Sequence, residues 1–216
     1  LELLWILCRG FALLPHCIRH YIFGNICYFL LCYVTHYRNK VIMDNLRRSF
    51  PDKSEQELRK ICRGTYKNLA EQIINTISQS GVSDKTLQHR MKLIDAEKIR
   101  EEIGDRSAIM LTAHFGPWEA GSTTSLAFPD QTFVAVYHKL TNRVVDELMK
   151  RIRQHTNVEL VDMKYTMRHF IDNRNKRPMA MGLIADQCPP RRANMHWYKF
   201  LHQWTAFLEG GETLAL

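Results

Sequence analysis

The chain has 216 residues, 45% of them hydrophobic, with 30 Lys and Arg against 22 Asp and Glu and a formal net charge of +8 at pH 7. That length suits one sizeable domain with an ordinary core, and the composition excludes a chain that is mostly membrane-embedded. The basic balance points to anionic partners, such as nucleic acid, an anionic membrane face or acidic proteins. Six cysteines, at 8, 17, 27, 32, 62 and 188, form no C-x-x-C, and four lie in the apolar N-terminal stretch. They read as small hydrophobes in a reducing compartment, with no disulfide framework and no zinc site.

Leu1 to Val34 is apolar and aromatic but broken by Arg9, Pro15, His16, Arg19 and His20. Its cleanest run, Tyr21 to Val34, falls short of the ~20 residues a straight span needs. It is a short or tilted anchor, two interfacial helices divided at Pro15, or a buried core helix. Residues 1–50 hold six Lys/Arg and two acids, half the net charge of the chain. The basic segment Arg38, Lys40, Arg47 and Arg48 favours the membrane reading, because cations beside an apolar helix stay cytoplasmic and meet anionic lipid. The boundaries expected are apolar membrane-anchoring helices over 1–37 and a second domain over 38–216.

Ser54-x-x-Glu57 is a capping box that opens a helix from Glu55 to about Ser78, with a core stripe at Leu58, Ile61, Tyr66, Leu69, Ile73 and Ile77. A helix-turn-helix over Lys53 to Arg90 is disfavoured, because the charges alternate in sign rather than forming one basic face. A short helix, a connector at Met91 to Ile94 and a helix over Ala96 to Ile103 follow. Four strands then alternate with helices: Ser107 to Ala113, Thr132 to Tyr137, Val158 to Val161 and Met179 to Ile184. The intervening helices run from Gly116 to about Leu126, from Asn142 to His155 and from Tyr165 to Asn173. This alternation predicts an α/β fold with a mostly parallel sheet, helices on both faces and right-handed crossovers. The carboxyl ends of the strands then share one edge. That edge collects His114, Tyr137-His138-Lys139, Asp162-Met-Lys164 and Asp186-Gln187, where open α/β sheets bind ligands.

The first strand runs into His114-Phe-Gly-Pro-Trp-Glu119. His114 falls at the strand end and Glu119 in the first turn of the next helix, leaning back toward it. A carboxylate on one imidazole nitrogen fixes the tautomer, so that the other takes a proton near pH 7. The alternative is a His packed at a strand end beside an unrelated Glu. The spacing is not that of a helical zinc pair. Asn142 suits a helix cap. Asp186 suits either a turn at a strand end or a functional group on the shared edge. Arg153 offers a fork for a carboxylate or phosphate, while Lys150 and Arg151 read as solvated.

Several ordered blocks resemble one family. His114-Phe-Gly-Pro-Trp-Glu119 is similar to the H-F-G-N-W-E block of the bacterial lipid A late acyltransferases, the lauroyl and myristoyl type, within the H-x4-D/E lysophospholipid acyltransferase superfamily. Pro117 replaces the usual Asn. Asn45-Leu-Arg-Arg-Ser-Phe50-Pro51 resembles the R-x-N-L-x-x-x-F-P segment, with Met43 at the Arg position. Tyr137-His-Lys-Leu-Thr-Asn142 resembles Y-R-P-L-x-N, Gly182-Leu-Ile-Ala185-Asp186-Gln187 resembles the A-D-Q/H block after a strand, and Trp197 to Gly210 resembles F-F-G-x-x-A-x-T-x-x-G with His202 at the first glycine.

The resemblance implies a glycerol-3-phosphate acyltransferase-like fold behind N-terminal membrane-associated helices. It also implies further chain beyond Leu216. It implies transfer of a fatty acyl chain from acyl carrier protein to a hydroxyl of a lipid A precursor, at the cytoplasmic face of the inner membrane. His114 is then the general base and Glu119 its orienting partner. Arg153, Asp186, Gln187, Tyr137, Lys139 and Asn142 position substrate, and no metal, cofactor or nucleic acid takes part. Pro189-Pro190-Arg191-Arg192 forms a stiff basic loop. The alternatives are the same fold acting on another glycolipid or amino-acid lipid, and a non-catalytic binder of anionic membranes.

Overall fold

A computed structural model of the chain describes residues 1–187, 195–207 and 209–215. Pro15 divides two N-terminal helices, α1 (Glu2–Leu13) and α2 (Ile18–Val34), bent by 115° to one another. No single helix among the described residues is long and apolar enough to cross a membrane; the bent pair meets that test only together. Helix α2 is wound as a π-helix at both ends, Ile18–Phe23 and Leu30–Val34. Helices α3 (Asn39–Ser49) and α4 (Glu55–Ile77) follow.

The capping box of α4 is present, with Ser54 Oγ accepting from Glu57 N and Glu57 Oε2 accepting from Ser54 N at 2.9 Å. The stripe that α4 buries fully is Leu58, Cys62, Tyr66, Ala70 and Ile74, four residues apart throughout. Ile61, Leu69, Ile73 and Ile77, expected in that stripe, are only half-buried. The regular i+4 spacing keeps one row of the helix in contact, and small Cys62 and Ala70 let neighbours approach closely. Leu58, Cys62 and Tyr66 pack with Cys32 of α2 and Met43 of α3. Helix α1 instead meets helix α7 (Arg143–Arg153) of the sheet region. Cys8, Leu148 and Ile152 form one buried cluster there, and Arg151 stacks over Trp5 at 4.7 Å.

After α5 (Asp84–Arg90) and α6 (Ala96–Ile103) the sheet begins. Strands β1 (Ala108–Thr112), β2 (Thr132–Tyr137), β3 (Val158–Asp162) and β4 (Met179–Ile184) form one parallel sheet in the order β1-β4-β2-β3. Alternation sorts its two faces. Val134, Val161, Met179 and Met181 pack toward Phe170 of α8 (Thr166–Asn173) and Leu214 of α9 (Gly210–Ala215). Phe133, Val158 and Ala180 form the opposite face. Gly182 is needed there, since a Cβ would lie 2.9 Å from the Phe133 ring. The parallel α/β architecture is as the sequence predicts, with helices flanking the sheet.

One local feature differs from the expectation and another goes beyond it. The helix after Gly116 is a 3₁₀ helix, Trp118–Ala127, rather than an α-helix. The aromatic block 196–207 is an antiparallel hairpin of β5 (His196–Phe200) and β6 (Gln203–Phe207), joined by Leu201 and His202 at φ 46° and 63°. Two positive φ values make this a two-residue hairpin turn whose twist matches the strands, a site that favours glycine. His202 occupies the position of the first glycine in the block quoted above. Cys188 and the Pro189–Arg192 loop lie outside the described residues.

Candidate active site

The sheet order decides which groups meet. Strand β4 lies beside β1, and the Ala185 N–H continues the ladder to Thr112 O at 3.0 Å. Residue 186 therefore arrives opposite residue 114 although 72 positions separate them in the chain. Asp186 Oδ2 accepts from the His114 backbone N–H at 2.9 Å, and Asp186 Oδ1 pairs with His114 Nδ1 at 2.7 Å. Burial works against the charged carboxyl, but the hydrogen bonds from the His114 ring and backbone outweigh it and hold Asp186 below the usual carboxylate range. An ionised Asp186 only accepts, so His114 Nδ1 carries the proton and Nε2 keeps its lone pair. Gln187 Nε2 lies 3.5 Å from that Nε2, and the Trp118 ring meets the imidazole edge-on with centroids 4.6 Å apart.

Glu119 was expected to orient His114; in the structure it binds Arg153 instead. Arg153 Nε and Nη2 reach Glu119 Oε2 and Oε1, both at 2.7 Å, a fork on a carboxylate that is 8% exposed. A buried carboxylate gains two charge-assisted bonds from a guanidinium, more than one imidazole supplies. The backbone agrees. Gly116 takes φ +58°, turning the chain, and the 3₁₀ helix that follows directs Glu119 toward α7 (Arg143–Arg153). Arg153 was expected to offer its fork to a carboxylate or phosphate of the substrate; the carboxylate it holds is Glu119, and His114 takes Asp186 in its place.

The other candidates separate. Asn142 caps α7, its Oδ1 accepting from Val144 N at 3.0 Å and Val145 N at 3.2 Å. Tyr137 ends β2, two strands or roughly 10 Å from β1, with Lys150 Nζ 5.7 Å from its ring centre. Lys139 is exposed beyond it, and no hydrogen bond joins Tyr137 or Lys139 to His114, Asp186 or Glu119 among the described residues. Two supports were assigned no role from the sequence, although Trp118 lies within the quoted block. Gln72 of α4 donates to Gly116 O, bracing the turn after His114, and Trp118 packs on the imidazole.

The arrangement is an oriented imidazole whose Nε2 meets the Gln187 amide at the carboxyl edge of a parallel sheet, beside a buried Arg–Glu pair. It can take a proton from a hydroxyl or thiol and return it. A search of curated proteins finds no match. The pattern of the bacterial lipid A biosynthesis acyltransferases matches residues 3–216, nearly the whole chain. With the predicted fold in place and the sequence matched over nearly its whole length, the chain belongs to the bacterial lipid A biosynthesis acyltransferase family.

Proposed function

We propose that this acyltransferase moves a fatty acyl chain from the thioester of acyl carrier protein to a hydroxyl of a lipid A precursor, with His114 as general base. The observation that carries the reading is the 2.7 Å bond from Asp186 to His114 Nδ1, which leaves Nε2 as the proton acceptor. The hydroxyl of the acceptor displaces the Gln187 amide from Nε2 and gives up its proton there. Its oxygen attacks the thioester carbonyl, and the charge on the imidazolium is balanced by Asp186. The tetrahedral oxyanion collapses, the C–S bond breaks, and the imidazolium proton passes to the departing thiolate. The thioester supplies the activation, so no cofactor takes part. The Glu119–Arg153 pair holds the loop that carries His114 and is a positioning element.

The site lies at the cytoplasmic face of the inner membrane in this reading. Support comes from the apolar side chains that α1 and α2 expose, among them Leu13 at 86% and Tyr21 at 71%. Helices bent by 115° suit one leaflet's interface better than a straight crossing. The test is acyl transfer from a labelled acyl-carrier thioester to a lipid A precursor in detergent. Wild type transfers and His114→Ala does not, while both bind lipid. Transfer that survives in His114→Ala overturns the assignment of the base.

A further inference from the structure

Arg19 in the first π-wound turn of α2 is 6% exposed, and no hydrogen bond or carboxylate reaches its guanidinium among the described residues. Its Nε is buried without a partner. A buried cation is normally paired, because desolvating it alone is costly. Here the neighbour adds to the cost. Burial, and then the like charge of Arg90 at the end of α5, push the Arg19 guanidinium down from its usual range. His20 adjoins it and stacks on His16 with ring centres 4.1 Å apart. One carboxylate, Glu71, opposes this cluster, and it acts on His20.

Two elements tie the cluster to the site. Glu71 faces His20 from α4, and the next residue, Gln72, donates to Gly116 O in the turn after His114. Arg90 ends the helix whose Gln88 donates to Leu126 O of the 3₁₀ helix that carries Glu119. Tyr21 and Ile22, which follow His20 in α2, and Leu13, which ends α1, are exposed and apolar.

From this geometry we infer that Arg19 and Arg90, with His20 beside them, form a binding subsite for the phosphate of an amphiphile whose tails lie along α1 and α2. A guanidinium fork matches phosphate oxygens, and a phosphate supplies the counter-charge that the buried Arg19 lacks. The inference rests on the acyl-transfer reading only for the role of that phosphate in holding the acceptor. Binding is measured without turnover, so the two readings fail separately.

The experiment uses the full chain and flotation with vesicles of phosphatidylcholine, with or without phosphatidic acid. Wild type, Arg19→Met, Arg90→Gln and the remote control Lys98→Gln are compared. Loss of one such fork weakens binding to phosphatidic-acid vesicles by about tenfold in Arg19→Met and in Arg90→Gln, and leaves Lys98→Gln near wild type. Without lipid, Arg19→Met melts at a higher temperature than wild type, because an unpaired buried cation has been removed. A structural Arg19 would give the opposite shift. Equal weakening in all three variants, or a destabilised Arg19→Met that binds vesicles as wild type does, overturns the subsite. Inorganic phosphate in the low millimolar range that raises the wild-type melting temperature as far as the vesicles do overturns the lipid as its source. Should Arg19→Met fail to fold, the exposed Arg90→Gln carries the same test.

Discussion

Asp186→Asn keeps the shape of the group that holds His114 and changes its hydrogen-bonding capacity. Asp186 now accepts twice, from the His114 backbone N–H at 2.9 Å and from Nδ1 at 2.7 Å. An Asn has one accepting oxygen and one donating nitrogen. If the oxygen stays on the backbone N–H, the amide N–H₂ faces Nδ1 and forces the proton to Nε2, the atom that must be free. If the amide flips, two donors face each other at the backbone. Restoring the productive tautomer costs about 2 kcal/mol, the worth of a charge-assisted bond. Losing the carboxylate that balances the imidazolium costs about 2 kcal/mol more. Together these remove ~4 kcal/mol of transition-state stabilisation, or about a thousandfold in kcat/KM. The assay is single-turnover acyl transfer with a thermal melt of the same sample, so that lost activity is not lost fold. The expected result is a thousandfold defect in a folded protein, with no further loss when His114→Ala is added. An Asp186→Asn enzyme within about threefold of wild type refutes the orienting role, since no intact base–orienter pair is worth so little.

Glu119→Ala leaves Arg153 as an unpaired, largely buried cation and costs about 3 kcal/mol in urea unfolding, while adding Arg153→Met recovers part of that loss. A double-mutant cycle between Glu119 and His114 gives near-additive effects on binding and stability, because the two side chains share no hydrogen bond. His202→Gly relieves a left-handed residue in the β5–β6 turn and adds about 1 kcal/mol, a rise of roughly 2–4 °C in Tm by calorimetry. Asp146, 3% exposed, is held below the usual carboxylate range by the Leu140 backbone N–H and then by Lys150. A depressed carboxylate stabilises the fold above its unfolded pKa and ceases to as pH falls through its folded one. Asp146→Asn therefore lowers the urea midpoint at pH 7, and the gap to wild type narrows as the pH is taken below about 4.

The parallel sheet was legible because its strands are short, mostly apolar runs set between helical periods, and Thr132–Tyr137 and Met179–Ile184 fall where the pattern puts them. The candidate residues were legible as an edge, since parallel topology alone gathers His114 and Asp186. Their pairing was not. Sequence spacing favours Glu119, five residues from His114, over Asp186, and only the order β1-β4-β2-β3 reverses that preference. Nothing in the local sequence says that β4 inserts between β1 and β2. The buried row of α4 was misread for a different reason. Cys62 and Ala70 are small and weakly hydrophobic, and their burial comes from close helix approach rather than apolar bulk. The hairpin turn was hidden because Leu201 and His202 are unfavourable at left-handed positions and gave no turn signal.

The partnership of His114 and Asp186 has a temporal side. Local contacts such as the capping box of α4 close over three residues, whereas this pair closes a loop of 72. Strand β4 pairs with both β1 and β2 and carries Asp186 to the end of β1, so an oriented imidazole can exist only after β4 has docked between these neighbours. During refolding, helical signal precedes competence, and activity returns with the slowest step of sheet assembly. Under the acyl-transfer reading proposed above, a partly folded chain then carries its apolar helices but no working base. On that reading, unproductive transfer of acyl groups to stray hydroxyls is shut off until the sheet is complete.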